Sequence, residues 1–440
     1  MPHEKFRYFS LEDIKAKANA LKADIPLTED ISPLGAPLKI GDLKIPNRLV
    51  IQPMEGCDGR ADGAPDELTV RRYHRFARSG AGVIWIEATA ILNEGRANPR
   101  QLMITESNID WFKKLVNDIK QIAVREAGIA PVLVLQLTHS GRYSKPGGMP
   151  APLIARNNPI FEKDKPIDQS RIVSDDYLKS LPEYYVKSAK LAYDAGFDCV
   201  DIKACHGYLM SELLASHTRN GLYGGSFENR TRLLTETVTA VRSATNGSVT
   251  SRMNLYDGFP LLYGWGAGED GAPDMTEPIR LVDLLHNKLG LQFLNFTIGN
   301  PYVNPHVNRP YDSGPYIPEE HPLEGVSRMC SCISKVKSNF PDLKVIGSGF
   351  SYLRQFSPNL AAGMIQSNSA DMAGFGRMAF AYPEFARHIF RNGGLDYNKC
   401  CFACGKCTEL MRAGSKAGCV LHDREIYLPL YKGEVMNNYV

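Results

Sequence analysis

The sequence predicts an α/β protein built on a (β/α)8 TIM barrel, with a short N-terminal extension and a C-terminal segment organised around clustered cysteines. Three observations carry this expectation. Eight short β-branched or apolar runs alternate with helix-length amphipathic segments, and near-continuous apolar strands of that kind belong to a parallel sheet covered on both faces. Eight such units are the number that closes a barrel. The first run ends in Pro53-Met54-Glu55-Gly56, where a doubly wound nucleotide-binding sheet would carry Gly-x-Gly-x-x-Gly.

Composition bounds the rest. The 440 residues are 43% hydrophobic and 22% charged, as in globular proteins with a large buried core. Fifty-one Lys and Arg face 48 Asp and Glu, a net charge of +3 with no basic tract. That argues against nucleic acid or an anionic membrane as the main partner. Neither a secretory signal nor a long apolar span is visible. Ten cysteines in such a chain read as reduced thiols and metal ligands, and a cytoplasmic location is expected.

In chain order, residues 1–36 read as an extension. There Ser10-Leu-Glu-Asp13 caps a helical run to about Leu21. The barrel is expected over 37–395, with strands at 48–53, 82–88, 131–137, 197–204, 248–254, 292–297, 343–348 and 370–376. Helical patterns fall between them at 65–79, 109–126, 175–195, 227–244, 277–289 and 325–338. Two Pro-rich loops, 140–174 and 302–322, follow strands three and six and would wall a pocket on the C-terminal face, where barrels place their sites.

Strand ends are therefore where chemistry is expected. Strand three ends in Gln136-Leu-Thr-His139, strand four in Lys203-Ala-Cys205-His206-Gly207-Tyr208, and strand five carries Arg252. Strands seven and eight end in Gly347-Ser348-Gly349 and Gly376-Arg377. Glycines there admit an anion close to backbone N–H groups, and Arg377 adds a forked cation, so a phosphate-bearing cofactor is expected. Cys205 and His206 are neighbours on a strand and point to opposite faces, so Cys205 reads as a buried thiol. His306 reads equally as an accessory acid or a surface histidine.

Residues 396–440 hold Cys401-x2-Cys404-x2-Cys407-x11-Cys419. Three bunched cysteines and a distant fourth suit a [4Fe-4S] cluster. Zinc, which favours two paired knuckles, is the second reading. Cys400 could replace Cys401.

Several ordered pieces then resemble the Old Yellow Enzyme family of FMN-dependent oxidoreductases, including its 2,4-dienoyl-CoA reductase-like branch. They are Asn47-Arg-Leu-Val, Pro53-Met54, Gln136-Leu-Thr-His139-Ser-Gly-Arg142, Ala195-Gly-Phe-Asp198 to His206-Gly-Tyr-Leu209, Tyr223-Gly-Gly-Ser-Phe-Glu-Asn-Arg230 and Gly376-Arg377. The resemblance implies that Pro53, Met54 and Ala88 line the flavin, that Gln136 and Arg252 bind its pyrimidine edge, and that Gly349, Gly376 and Arg377 hold its phosphate. It implies that Tyr208 protonates one carbon of an activated C=C bond while Lys203 and His206 hold the substrate oxygen. Lys203 and His206 depart from the usual pair, and an ammonium there suggests an α,β-unsaturated acid besides a neutral enone. Glu55 is a second departure, and its role and that of Cys57 stay open.

In that branch the cluster feeds FMN from an appended FAD/NAD domain. No dinucleotide fingerprint occurs here, so the expected donor is external: a ferredoxin, a flavoprotein, an NADH-oxidising subunit, or NAD(P)H itself. Two alternatives stand beside ene-reduction, an amine or acyl dehydrogenase of the trimethylamine dehydrogenase type and a zinc-bearing non-catalytic binding protein. Association into homo-oligomers is left open.

Overall fold

Eight strands close into one parallel barrel in the computed structural model, which describes residues 4–314 and 316–439. Residues 1–3 and 440, and Pro315 of the loop after strand six, lie outside the described residues. The strands are β1 Leu49–Ile51, β2 Val83–Ala90, β3 Val132–Thr138, β4 Cys199–Ile202, β5 in two pieces (Ser248–Thr250 and Arg252–Asn254), β6 Phe293–Thr297, β7 Lys344–Gly347 and β8 Met372–Phe375. The first piece of β5 pairs with β4 and the second with β6. One strand broken at Ser251 therefore joins both edges of the sheet and leaves it without an exposed edge. Each expected strand is present.

A helix follows each strand: α1 Glu67–Ala77, α2 Ile109–Ile122, α3 Asp175–Asp194, α4 Phe227–Ala244, α5 Thr276–Asp283, α6 Pro322–Asn339, α7 Ser357–Gln366 and α8 Phe385–Asn392. Their inward stripes explain them; α2 buries Phe112, Leu115, Val116, Ile119 and Ile122 at helical spacing. Serine caps start α3 and α4, with Ser174 and Ser226 accepting from the N–H groups of Tyr177 and Asn229. The expected N-terminal helix spans Leu11–Ala20 with a Ser10–Asp13 capping box.

The barrel interior is layered because side chains alternate along each strand. Val50, Val83, Trp85, Val134, Cys199, Phe293, Ile346 and Met372 form an apolar cluster. A hairpin not anticipated from the sequence, Leu38–Ile40 paired with Leu43–Ile45, packs Ile40 and Ile45 onto that cluster. Gly41 turns it with φ +57, and a side chain there would collide with Gln292. Above the apolar layer lies a polar one. Gln52 and Asn295 exchange amide hydrogen bonds at 2.7 and 3.1 Å, while Asp201 accepts from Gln136 at 2.6 Å and Trp85 at 2.8 Å.

Candidate functional site

Above the polar layer, the C-terminal ends of the strands open into a cavity. It is lined by Pro53, Met54, Lys203, His206, Tyr208, Arg252, Gly349, Gly376 and Arg377 among others, so nine residues singled out from the sequence share one cavity. Gln136 and Ala88 sit elsewhere. Gln136 is in the layer beneath, its amide committed to Asp201, and Ala88 is wholly buried on β2. Gln52 reaches the cavity instead, passing so close to β8 that a Cβ on Gly374 would lie 1.8 Å from its amide nitrogen.

Cations dominate this cavity. Its charged lining residues are Lys203, Arg252, Arg309 and Arg377 against Glu55 alone. Arg252 is 8% exposed and its Nε has no partner; burial lowers its pKa, although a guanidinium stays charged at neutral pH. Arg377 Nη1 and Arg309 Nε are likewise buried without partners. Burial, then the charge of Arg377, pulls the Arg309 guanidinium down. Buried cations that repel one another, beside Gly349 at φ +93 and a Gly376 whose Cβ would press on Met54, are matched to an anion. Arg309 comes from the Pro-rich loop after β6 and carries no motif. Only its placement beside Arg377 reveals it.

The same cavity also holds phenols. Tyr208 is 2% exposed; its hydroxyl donates to Glu55 Oε1 at 3.1 Å and lies 3.3 Å from the Tyr302 hydroxyl. Tyr302 stacks on Tyr143 with ring centroids 3.7 Å apart; of the two long loops, the one after β6 lines the cavity, and the one after β3 backs it through Tyr143. Lys203 Nζ stands 3.7 Å from the Tyr208 ring centroid and 3.5 Å from Glu55 Oε1. Burial, then the Glu55 charge, pushes the Tyr208 phenol well up. Burial and the charges of Arg252, Lys203 and Arg309 hold His206 well below its ordinary value, so this imidazole is neutral at pH 7. His206 adopts φ +66, a left-handed conformation that turns the chain at the end of β4.

Behind Glu55 lies a buried ion network. Arg72 binds both Asp58 and Glu87, and Glu87 Oε2 accepts the Gly56 N–H at 2.8 Å. Gly56 O in turn accepts from Ala417 N at 2.7 Å. The cysteine segment is thereby tied to the loop that carries Glu55. Arg100 repeats the link, donating to Cys57 O and Gly414 O, and Arg71 grips Asp423 with bonds of 2.7 and 2.8 Å. Cys407, Thr408, Met411 and Ala417 reach the main cavity, and Arg309 bonds Thr408.

Cys401, Cys404, Cys407 and Cys419 line one small cavity beside Arg377 and Lys406. Backbone N–H groups of Ala403 and His422 donate to the Cys401 and Cys419 sulfurs, each at 3.4 Å. Cys400 points away, with its Sγ donating to Asp396 O at 3.3 Å. Among the described residues no three His, Cys, Asp or Glu side chains converge as ligands of a single metal ion. None contributes to a helix long and apolar enough to cross a membrane.

Residues 33–263 match the NADH:flavin oxidoreductase / NADH oxidase family. The NADPH dehydrogenase of Bacillus velezensis is 32% identical over 231 residues, which cover 51% of this chain and 64% of that protein. Among solved structures, the Old Yellow Enzyme homologue of Zymomonas mobilis superposes with a TM-score of 0.62 at 23% identity, covering 83% of this chain and 94% of that one. A 2-naphthoyl-CoA reductase complexed with 2-naphthoyl-CoA gives 0.73 at 17% identity, covering 90% and 57%. These structural likenesses extend the shared fold over most of the chain. With a family match across more than half its length, this chain belongs to the NADH:flavin oxidoreductase / NADH oxidase family.

Proposed function

We propose that the protein is an FMN-dependent ene-reductase that reduces a C=C bond conjugated to a carbonyl or carboxyl group. The observation that carries this reading is the meeting of Tyr208, His206 and Lys203 in one cavity with Arg252, Arg309 and Arg377, each of which keeps a buried guanidinium nitrogen without a partner. The residues present fit FMN. Arg377, Arg309, Gly349 and Gly376 would hold its phosphate, and Arg252 the edge of its ring that gains negative charge on reduction. Bound there, the flavin would supply a hydride equivalent.

The chain's own residues do the rest. His206, neutral, and Lys203 donate hydrogen bonds to the substrate oxygen as it gains charge. Tyr208 keeps its proton until a carbanion-like centre develops and then delivers it. Lys203 already faces Glu55 at 3.5 Å, which spends part of its charge locally and favours a neutral carbonyl over a free carboxylate. A cationic amine would meet four cations and one carboxylate that is already paired, which weighs against amine dehydrogenation.

The four thiols of one cavity, two of them accepting N–H hydrogen bonds, also fit a [4Fe-4S] cluster, whose redox poise such bonds help set. Cys401, Cys404, Cys407 and Cys419 would hold it, and it would supply one-electron transfer between the site and a partner. NADPH, the reductant named for the Bacillus velezensis relative, is the proposed direct donor, with an external redox protein as the donor by way of the cluster.

The reading is tested by purifying the protein anaerobically, recording its visible spectrum with iron and sulfide content, and following NADPH-driven reduction of cyclohex-2-enone. Flavin bands and enone turnover are expected. Colourless protein carrying stoichiometric zinc would overturn the reading. Cys404→Ser is expected to remove most iron and acid-labile sulfide while retaining FMN; unchanged iron would exclude this ligand set. Arg377→Ala should weaken FMN binding by about ten- to a hundredfold, the worth of one charge-assisted hydrogen bond. Riboflavin, lacking the phosphate, should bind the variant and wild type alike, as titration calorimetry on apoprotein would show.

A further inference from the structure

Glu55 stands out from everything else in the cavity. It is the one acid among the charged residues of the lining, and it touches the proposed proton donor. Tyr208 is 2% exposed, so a phenolate formed there by protonating substrate would be stranded from water. Its ring face is covered by the Lys203 ammonium, which lies over the centroid at 3.7 Å. Its hydroxyl meets two groups, the Tyr302 hydroxyl at 3.3 Å and Glu55 Oε1 at 3.1 Å. Tyr302 is a poor proton source, because burial pushes its own phenol up. The Glu55 side chain is 13% exposed, against 2% for Tyr208.

We propose that Glu55 is the proton-relay partner of Tyr208, held in place by Lys203, and that the pair carries each catalytic proton between solvent and the buried phenol. This rests on the reading of Tyr208 as the proton donor. In the reducing direction, FMN held by Arg252, Arg309 and Arg377 would supply the hydride equivalent for one C–H bond of the product. The Tyr208 O–H bond breaks to form the other. Glu55 takes up a proton from water and passes it to the phenolate, which restores the phenol and the carboxylate. In the oxidising direction each transfer reverses, with the phenol giving its proton to Glu55 as it accepts one from the substrate.

The loop geometry supports a fixed relay. Gly56, next to Glu55, is clamped between Glu87 through its N–H and Ala417 through its carbonyl. The groups facing the pair are Lys203 from the end of β4, Tyr302 from the loop after β6, Tyr143 from the loop after β3, and Cys57 and Glu87 from the Glu55 side. Of these, Tyr302 also touches the Tyr208 hydroxyl, and burial pushes its phenol up.

The test uses FMN-loaded wild type, Glu55→Gln and Glu55→Asp. NADPH reduction and cyclohex-2-enone reoxidation are timed separately by stopped flow, in water and in deuterium oxide, across a pH series. Glu55→Gln should slow reoxidation by at least about tenfold, far more than NADPH reduction, with a larger solvent isotope effect and a steeper loss at high pH; Glu55→Asp should recover most of the rate. Equal slowing of both half-reactions would overturn the relay. A second readout needs no substrate: the Cζ resonance of Tyr208 in protein labelled at tyrosine Cζ, assigned with Tyr208→Phe. Loss of the Glu55 charge should move the Tyr208 titration to lower pH, and an unmoved resonance would also overturn the proposal. If the resonance responds while wild type ignores the enone, the pair is supported and the ene-reductase reading fails.

Discussion

Tyr208→Phe is expected to slow C=C reduction by about 10²–10⁴-fold, the usual worth of a positioned general acid, while NADPH reduction of the flavin proceeds at close to the wild-type rate. The phenylalanine keeps the ring that Lys203 covers at 3.7 Å and removes only the hydroxyl shared with Glu55 and Tyr302. The site should therefore keep its shape. The loss should appear in kcat and kcat/KM together, because the proton is delivered only as the transition state forms. Stopped-flow half-reactions with cyclohex-2-enone check this. A variant slowed less than about tenfold would move the proton donor elsewhere in the cavity.

Arg72→Met should carry the largest cost in stability. Arg72 is 5% exposed and binds Asp58 and Glu87, themselves 1% and 2% exposed. Methionine nearly preserves the volume but leaves two carboxylates buried around one lost cation, a change that costs about 3–5 kcal/mol. Thr69 still donates to Asp58 at 2.7 Å, and Gly56 N–H and the Tyr73 hydroxyl to Glu87 at 2.8 and 3.2 Å. The pH dependence follows from burial, which already pushes Glu87 up while Arg72 pulls it back. Without Arg72 the folded-state Glu87 carboxyl rises further above its unfolded value. Such a group binds more protons folded than unfolded, so stability is lost as pH climbs through its folded pKa. The deficit should be small near about pH 5 and full near about pH 8. Urea unfolding at both values measures it, and a pH-independent deficit would show that the carboxylates find other partners. Because Glu87 holds Gly56, the variant should also disturb Glu55.

Much of the architecture was legible in the sequence. Strand runs such as 131–137 announce themselves by continuous apolar content, and α2 by its spacing of Phe112, Leu115, Ile119 and Ile122. The hairpin at 38–45 was missed because six of its eight residues are only leucine, lysine and isoleucine. Its one signal is the Gly41-Asp42 turn. The choice between Cys400 and Cys401 could not be made from spacing. It depends on which thiol turns toward Asp396.

The sequence by itself determined the closed barrel, the cavity at its C-terminal mouth, and the presence there of Lys203, His206, Tyr208, Arg252 and Arg377. Strand alternation and strand-end placement are local properties, readable one segment at a time. Only the tertiary structure decided that Arg309 joins Arg377, that Gln136 turns to Asp201, and that Glu55 meets a phenol 153 positions away. Those pairings depend on how long loops fold back over the barrel and on what each buried polar group finds there. Satisfying such groups is a property of the whole packed molecule rather than of any stretch of chain.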